Sequence, residues 1–315
     1  LKKELVFELA SAHREKQEVF AYTFGRGERS LAIVGPMRGT ELQQLYIASQ
    51  LVKFLTQIEA QGKLAEGIQV TIIPVVNNYS MNIGKRYFTL DNTDINRMFP
   101  GYHEGETTQR IAGKVFEFVK GYQIGINLTS FYMTGEFMPH VRTLQTGYED
   151  RELGRKFGLS YYYIRETHPQ ETATLNYNWQ VWGTKAFSLY AGGTDVIDNL
   201  NAQIAIDSVI QFMVNMGWIE GELSDINESV LIDDTNLHIV MSKRAGIFYK
   251  NREISHYVKE GALLGEIIDP ICGESLTQIL APSDGVVFYT HSEALIFENK
   301  IAFILVKRSL NEKYS

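Results

Sequence analysis

The chain has one cysteine, Cys272, in 315 residues. An internal disulfide is therefore excluded, and scarce cysteine fits a reducing cytoplasm. A lone cysteine with no histidine partner reads as a small core residue. No block rich in Lys and Arg occurs, and the net charge is -7. A nucleic-acid or anionic-membrane surface needs a basic patch, so neither partner is expected. No apolar run approaches the roughly 18 residues of a membrane span. The opening stretch, Leu1-Lys-Lys-Glu-Leu-Val-Phe-Glu-Leu-Ala-Ser11, is too charged for a secretory hydrophobic segment. Histidine is sparse as well: His13, His103, His140, His168, His238, His256 and His291. None forms a His-x-x-x-His ligand pair.

What is present is ordinary globular composition, 44% hydrophobic, at a length that suits one large domain and a small one. Residues 4–9 and 18–24 alternate apolar and polar and predict edge strands. Leu31–Val34, Val70–Val76, Ile124–Leu128, Ser160–Ile164 and Ala186–Tyr190 predict further strands. Helical periods run over Thr40–Glu59, Thr107–Lys120, Arg151–Phe157 and Asp198–Met216. Strands alternating with helices predict an α/β domain over 1–222, with a mixed, mainly parallel sheet flanked by helices.

The pattern changes near residue 222. From Leu237 onward the strands are short and turns are frequent, which predicts a small all-β module over 223–315, with no helix longer than three turns in 237–306. Gly246-Ile-Phe-Tyr and Gly285-Val-Val-Phe-Tyr resemble each other, and the region is similar to the flattened half-barrels of biotinyl and lipoyl carrier domains. Such a carrier needs a lysine at its hairpin tip. The connection Asp269-Pro-Ile-Cys-Gly-Glu-Ser275 has none, so the module reads as structural or gating.

The densest signal is Asp91-Asn-Thr-Asp94-Ile-Asn96-Arg97-Met-Phe99-Pro100-Gly101. Asn96 and Arg97 set an amide beside a guanidinium, a pair suited to a planar two-pronged grip on a carboxylate. The plain alternative is a turn, with Asp94 capping and Pro100-Gly101 stopping the chain. Two more stretches stand at strand ends: Gly35-Pro-Met-Arg38-Gly39-Thr-Glu41, and Asn127-Leu-Thr129-Ser130. Together with Ser188-Leu-Tyr190-Ala-Gly192 and the barrel-like end region, these resemble the succinylglutamate desuccinylase/aspartoacylase family of zinc carboxypeptidase-like hydrolases, over nearly the whole chain.

That resemblance implies a zinc-carboxypeptidase-like α/β fold, a barrel-sandwich-like C-terminal module and a zinc cofactor. It also implies a first turn reading His-Gly-x-Glu, a later Asp-x-His and a catalytic Glu-x-Gly. Here Glu41 keeps the first glutamate. Arg38 stands at the first zinc histidine, Thr129 at the second, and Tyr190 at the catalytic glutamate. Arginine stays protonated and cannot serve as a usual metal ligand. Three protein ligands are the rule for zinc, so no bound cofactor is expected. Tyr190, with an ordinary phenol pKa near about 10, is a poor base at neutral pH. The carboxylate side is kept, with Arg86, Asn96 and Arg97 at matching positions. His140 follows the altered turn, and a new metal set of Glu41, Glu136 and His140 stays open. So does a recognition role for the aromatics of Tyr161–Tyr163 and Asn176–Trp182, against core filling.

Two functions follow. One is a pseudoenzyme that binds a carboxylate-bearing small molecule or peptide through Arg38, Glu41, Arg86, Asn96, Arg97, Thr129 and His140, or that pairs with an active paralogue. The other is a metal-dependent amidohydrolase or peptidase acting on an N-acyl amino acid or peptide through a rebuilt site. Both a homo-oligomer and a heteromer remain open as assemblies.

Overall fold

The computed structural model describes residues 1–10, 16–131, 134–223 and 229–307; His13 lies outside them. The chain divides into two compact units. The first holds residues 1–130, 139–190 and 194–231, and the second holds 131–138, 191–193 and 232–315. The division thus falls after Leu231, past the composition change near 222 and past the end of the last long helix at Asn215.

In the first unit, β1 (Lys2–Leu9) and β2 (Gln17–Gly25) form an antiparallel pair at the sheet edge. β2 runs antiparallel to β4 (Ile68–Ile73), which lies parallel to β3 (Arg29–Val34). Parallel pairing continues from β3 to β5 (Ile124–Leu128) and on to β8 (Lys185–Gly192). Next come β6 (Gly135–Gln145) and its parallel neighbour β7 (Tyr161–Glu166), with β9 (Val230–Ile232) beyond. The sheet is mixed, with a parallel centre, as the alternating periods predict. Val34, Ile73 and Leu128 are buried at the ends of the central strands, where open α/β sheets place their ligand sites.

The helices are α1 (Leu42–Ala60), α2 (Asn78–Met81), α3 (Thr107–Val119), α4 (Arg151–Arg155), α5 (Leu175–Val181) and α6 (Asn199–Asn215). α3 buries Ile111, Ala112, Val115, Phe116 and Val119 in one core cluster with Val34, Ile73 and Trp179. A Glu106–Gln109 capping box opens it, and Asp91 Oδ2 accepts from the Thr108 amide and hydroxyl at 2.9 and 2.8 Å. Gly101, at φ +92°, passes so close to α3 that a Cβ there would lie 2.0 Å from the Gly113 amide nitrogen. None of the described helices is long and apolar enough to cross a membrane.

In the second unit, β10 (Leu237–Met241) pairs antiparallel with β17 (Ile301–Lys307), and β17 with β15 (Gly285–His291). β12 (Tyr257–Val258) and the Gly135–Phe137 end of β6 also pair with β15. This pairing is why residues 131–138 count with the second unit. Phe137 lies 4.8 Å from Tyr289 and 5.1 Å from Phe131, and the Tyr289 hydroxyl donates to the Thr134 carbonyl at 2.9 Å. A separate antiparallel sheet orders β14 (Ser275–Leu280), β13 (Leu263–Ile268), β11 (Gly246–Lys250) and β16 (Leu295–Ile296). Leu264, Ile267, Val287, Phe303 and Leu305 fill the core. Among the described residues of 237–306 there is no helix. Cys272, read above as a core residue, is exposed instead. It sits in the turn between β13 and β14, where Asp269 Oδ1 accepts from the Ile271 and Cys272 amides.

Candidate ligand site

The chain leaves β3 at Val34 and turns through Gly35–Thr40 into α1. Gly39 donates its amide to the Arg86 carbonyl at 3.0 Å. A Cβ at Gly39 would lie 2.2 Å from the Lys85 carbonyl oxygen, so only glycine lets the 80–86 segment lie against this turn. Asn77 secures the same contact, donating to the Met37 carbonyl and accepting from the Ser80 amide, each at 3.2 Å. Arg86 is thereby placed within electrostatic reach of Arg38.

Arg38 and Glu41 are buried, at 2% and 1% exposure. The Arg38 guanidinium donates from Nη1 to Glu41 Oε1 at 3.1 Å and to the Ser130 carbonyl at 3.1 Å. Its Nε and Nη2 donate to Asp94 Oδ2 at 3.0 and 2.9 Å. Glu41 is engaged at both oxygens. Oε1 also accepts from the Ser130 amide at 2.9 Å and hydroxyl at 2.7 Å, and Oε2 from the Met37 and Arg38 amides at 3.2 and 3.1 Å. Burial works against the charged guanidinium, but Glu41 and then Asp94 outweigh it, so Arg38 is held above the ordinary arginine range. Arg86 is pulled below that range by burial and then by the Arg38 charge, with Glu41 and Asp94 opposing.

The Asp94–Gly101 motif folds as a short 3-10 turn, Ile95–Arg97. Asp94 plays two parts. Its Oδ1 caps the turn by accepting from the Asn96 amide at 3.0 Å, while Oδ2 holds Arg38. The Asn96 side-chain oxygen accepts from the Leu175 amide at 3.0 Å, and the Phe99 amide donates to the Ala173 carbonyl at 3.0 Å. The start of α5 is thus tied to the motif. Arg97 is half-buried, with Nη1 donating to the Asn96 carbonyl at 3.0 Å.

Thr129 is buried at the end of β5, and its hydroxyl turns to the Ser130 carbonyl at 3.4 Å. Tyr190, half-buried at the end of β8, acts electrostatically on Arg38. His140 is fully buried and stacks on Tyr190, with rings 5.1 Å apart and 5° from parallel. The Arg142 guanidinium lies 4.2 Å from the Tyr190 ring centre and 4.9 Å from that of Tyr163. Arg142 Nη2 stands 3.4 Å from His140 Nε2, so His140 and Arg142 share one face of Tyr190. His140 therefore forms part of the platform beneath Tyr190.

Sequence reasoning passed over Asp94 as a ligand of Arg38, Ser130 as a partner of Glu41, and Arg142 as the cation beneath Tyr190. The first two were adjacent to singled-out residues. Arg142 had no signal, since a buried arginine in a strand looks like a solvent-facing one. The aromatic stretches are mostly core: Tyr161–Tyr163 and Trp179 are buried, whereas Trp182 is 61% exposed.

The residues that the resemblance assigns to zinc do not fit a zinc ion. Arg38 offers no lone pair, Glu41 already accepts five hydrogen bonds, and Thr129 is a neutral hydroxyl. The alternative set of Glu41, Glu136 and His140 does not assemble. Glu136 belongs to the second unit, where it faces Lys250 at 3.6 Å. Among the described residues, no three His, Cys, Asp or Glu side chains come together in a way that could hold a metal ion.

The chain belongs to the succinylglutamate desuccinylase/aspartoacylase family: the model of that family's catalytic domain matches residues 28–204, more than half of the sequence. An N-alpha-acetyl-L-2,4-diaminobutyric acid deacetylase from Halomonas elongata is 25% identical over 274 residues, covering 83% of this chain and 78% of the relative. A succinylglutamate desuccinylase structure from a Silicibacter species superposes with a TM-score of 0.80 at 19% identity, covering 96% of this chain and 94% of that one. The product-bound ectoine utilization protein EutE (DoeB) from Ruegeria pomeroyi gives a TM-score of 0.78 at 19% identity, with 97% and 95% covered. These two structures share the fold.

Proposed function

We propose that this protein binds a carboxylate-bearing small molecule in the site around Arg97 and Arg86, and that it does not carry out the zinc-dependent hydrolysis of its family. One observation carries the reading. Glu41, which the resemblance assigns to the zinc set, has both oxygens taken up by protein donors, one of them the guanidinium of Arg38, at the position that the resemblance assigns to a zinc histidine. A metal could reach Glu41 only by breaking a buried ion pair, and breaking such a pair costs about 3–5 kcal/mol. Hydrolysis of an amide also needs an activated water, and the resemblance puts a tyrosine, Tyr190, at the position of the catalytic glutamate. Arg97 and Arg86 keep the planar donors that suit a carboxylate.

A second reading, a deacylase with a rebuilt site, is favoured by the deacetylase activity named for the Halomonas relative. One experiment separates the two. The purified chain is given N-acetyl amino acids with added zinc and, in parallel, with a chelator, while binding is followed by calorimetry. The binding reading expects heat of association and no release of acetate under either condition. Chelator-sensitive release of acetate would overturn it in favour of the deacylase.

A further inference from the structure

The second unit carries a cleft of its own, of about 310 Å³, formed by the stretch between β11 and β13. Arg252, His256, Tyr257, Val258, Lys259 and Ala262 line it. No carboxylate does. The backbone of this stretch is tied down on both sides. The Asn251 amide donates to the Leu264 carbonyl at 2.9 Å, and the Ser255 amide to the Val287 carbonyl at 2.8 Å. The Val287 amide donates back to the His256 carbonyl at 2.9 Å, and Tyr257 pairs with Val286 in the sheet. Between these ties Ser255 is held at φ +70°, a left-handed conformation unfavourable for a serine.

The turn also orients the donors. His256 Nδ1 accepts from the Glu253 amide at 3.3 Å. A ring nitrogen that accepts carries no proton, so Nε2 bears the ring hydrogen and is a donor. Arg252 uses Nη1 on the Asn251 carbonyl at 3.2 Å, and among the described residues neither Arg252 nor Lys259 makes an ion pair. The neighbouring carboxylates are engaged outside the cleft. Glu253 pairs with Lys250 at 2.6 Å, and Asp284 accepts from the Glu260 amide at 2.8 Å and the Tyr257 hydroxyl at 3.2 Å. Lys250, Arg252 and Lys259 balance Glu253, Glu260 and Asp284, so long-range attraction is weak. Selection comes instead from direct contact with the lining donors. Three of them, a planar guanidinium, an ammonium and an imidazole N–H, suit an oxyanion with three or more oxygens better than a carboxylate with two. We propose that this cleft binds the phosphate group of a small molecule through Arg252, His256 and Lys259.

The full chain is titrated by calorimetry with inorganic pyrophosphate and, in parallel, with acetate. Pyrophosphate is expected to saturate a site at millimolar concentration or below, at least about tenfold more tightly than acetate. Arg252→Gln combined with Lys259→Gln is expected to weaken it at least about tenfold. Both side chains are exposed, so this variant is expected to fold, which circular dichroism checks. Lys53→Gln, an exposed position on α1, is expected to leave binding unchanged. Acetate binding as tightly as pyrophosphate overturns the phosphate assignment. Pyrophosphate binding that survives the double substitution, that falls equally in Lys53→Gln, or that is lost in Arg97→Ala instead overturns the cleft as its site. So does the absence of saturable binding at millimolar concentration.

Discussion

Arg38 and Glu41 explain each other. A buried glutamate with no counter-charge would be driven neutral, and a buried arginine with none would be costlier still. The family resemblance implies a dication beside two glutamates. Here the Arg38 guanidinium pairs with Glu41 and with Asp94, and on the reading proposed above it takes the place of the dication. Glu41→Gln should therefore destabilise the fold by about 3–5 kcal/mol, because Arg38 loses one of its two buried counter-charges. Urea denaturation at neutral pH measures this, and a loss under about 1 kcal/mol would mean that Asp94 alone satisfies the guanidinium. Arg97 behaves oppositely. It is half-buried and makes a single side-chain bond to a backbone carbonyl, so Arg97→Ala should leave stability within about 1 kcal/mol. Affinity for a carboxylate ligand should fall roughly ten- to hundredfold, as expected for losing one charged hydrogen-bonding partner. Calorimetry on the variant would show unchanged affinity if Arg97 were purely structural.

At the scale of elements, the motif and α5 form one piece. The Asn96 amide oxygen satisfies the first amide of α5, a buried donor with few other options. Asn96→Ala should cost about 1–3 kcal/mol through that unsatisfied group and should weaken ligand binding as well. Hydrogen exchange in 173–178 is the direct check, since a purely ligand-facing Asn96 would leave protection there unchanged. α1, α3 and α6 were legible because their apolar faces keep a helical period, and β3, β5 and β8 because they are short β-branched or apolar runs. β6 and α5 were not. β6 reads Gly-Glu-Phe-Met-Pro-His-Val-Arg-Thr-Leu-Gln, and its buried His140 and Arg142 break any apolar pattern because they serve the site. α5 is built of Asn, Tyr and Trp, weak helix formers, and is held by Thr174 at its start and by Trp179 in the core. The altered positions 38, 129 and 190 were visible in sequence. The partners Asp94, Ser130 and Arg142 needed three dimensions, because they come from separate strands and turns.

At the scale of the whole molecule, the family's fold is kept along nearly the full chain, while on the reading proposed above the zinc positions have changed. Such a fold can hold a ligand without its original chemistry, because fold and site are separable. The buried Arg38 is paired with both Glu41 and Asp94, at 3.1 and 2.9 Å. The most direct measurement is the zinc content of the protein purified from zinc-supplemented culture and dialysed without chelator. The account predicts far less than one zinc per chain, with no change in thermal stability on adding zinc. About one dialysis-resistant zinc per chain, lost on substituting Glu41, would contradict it.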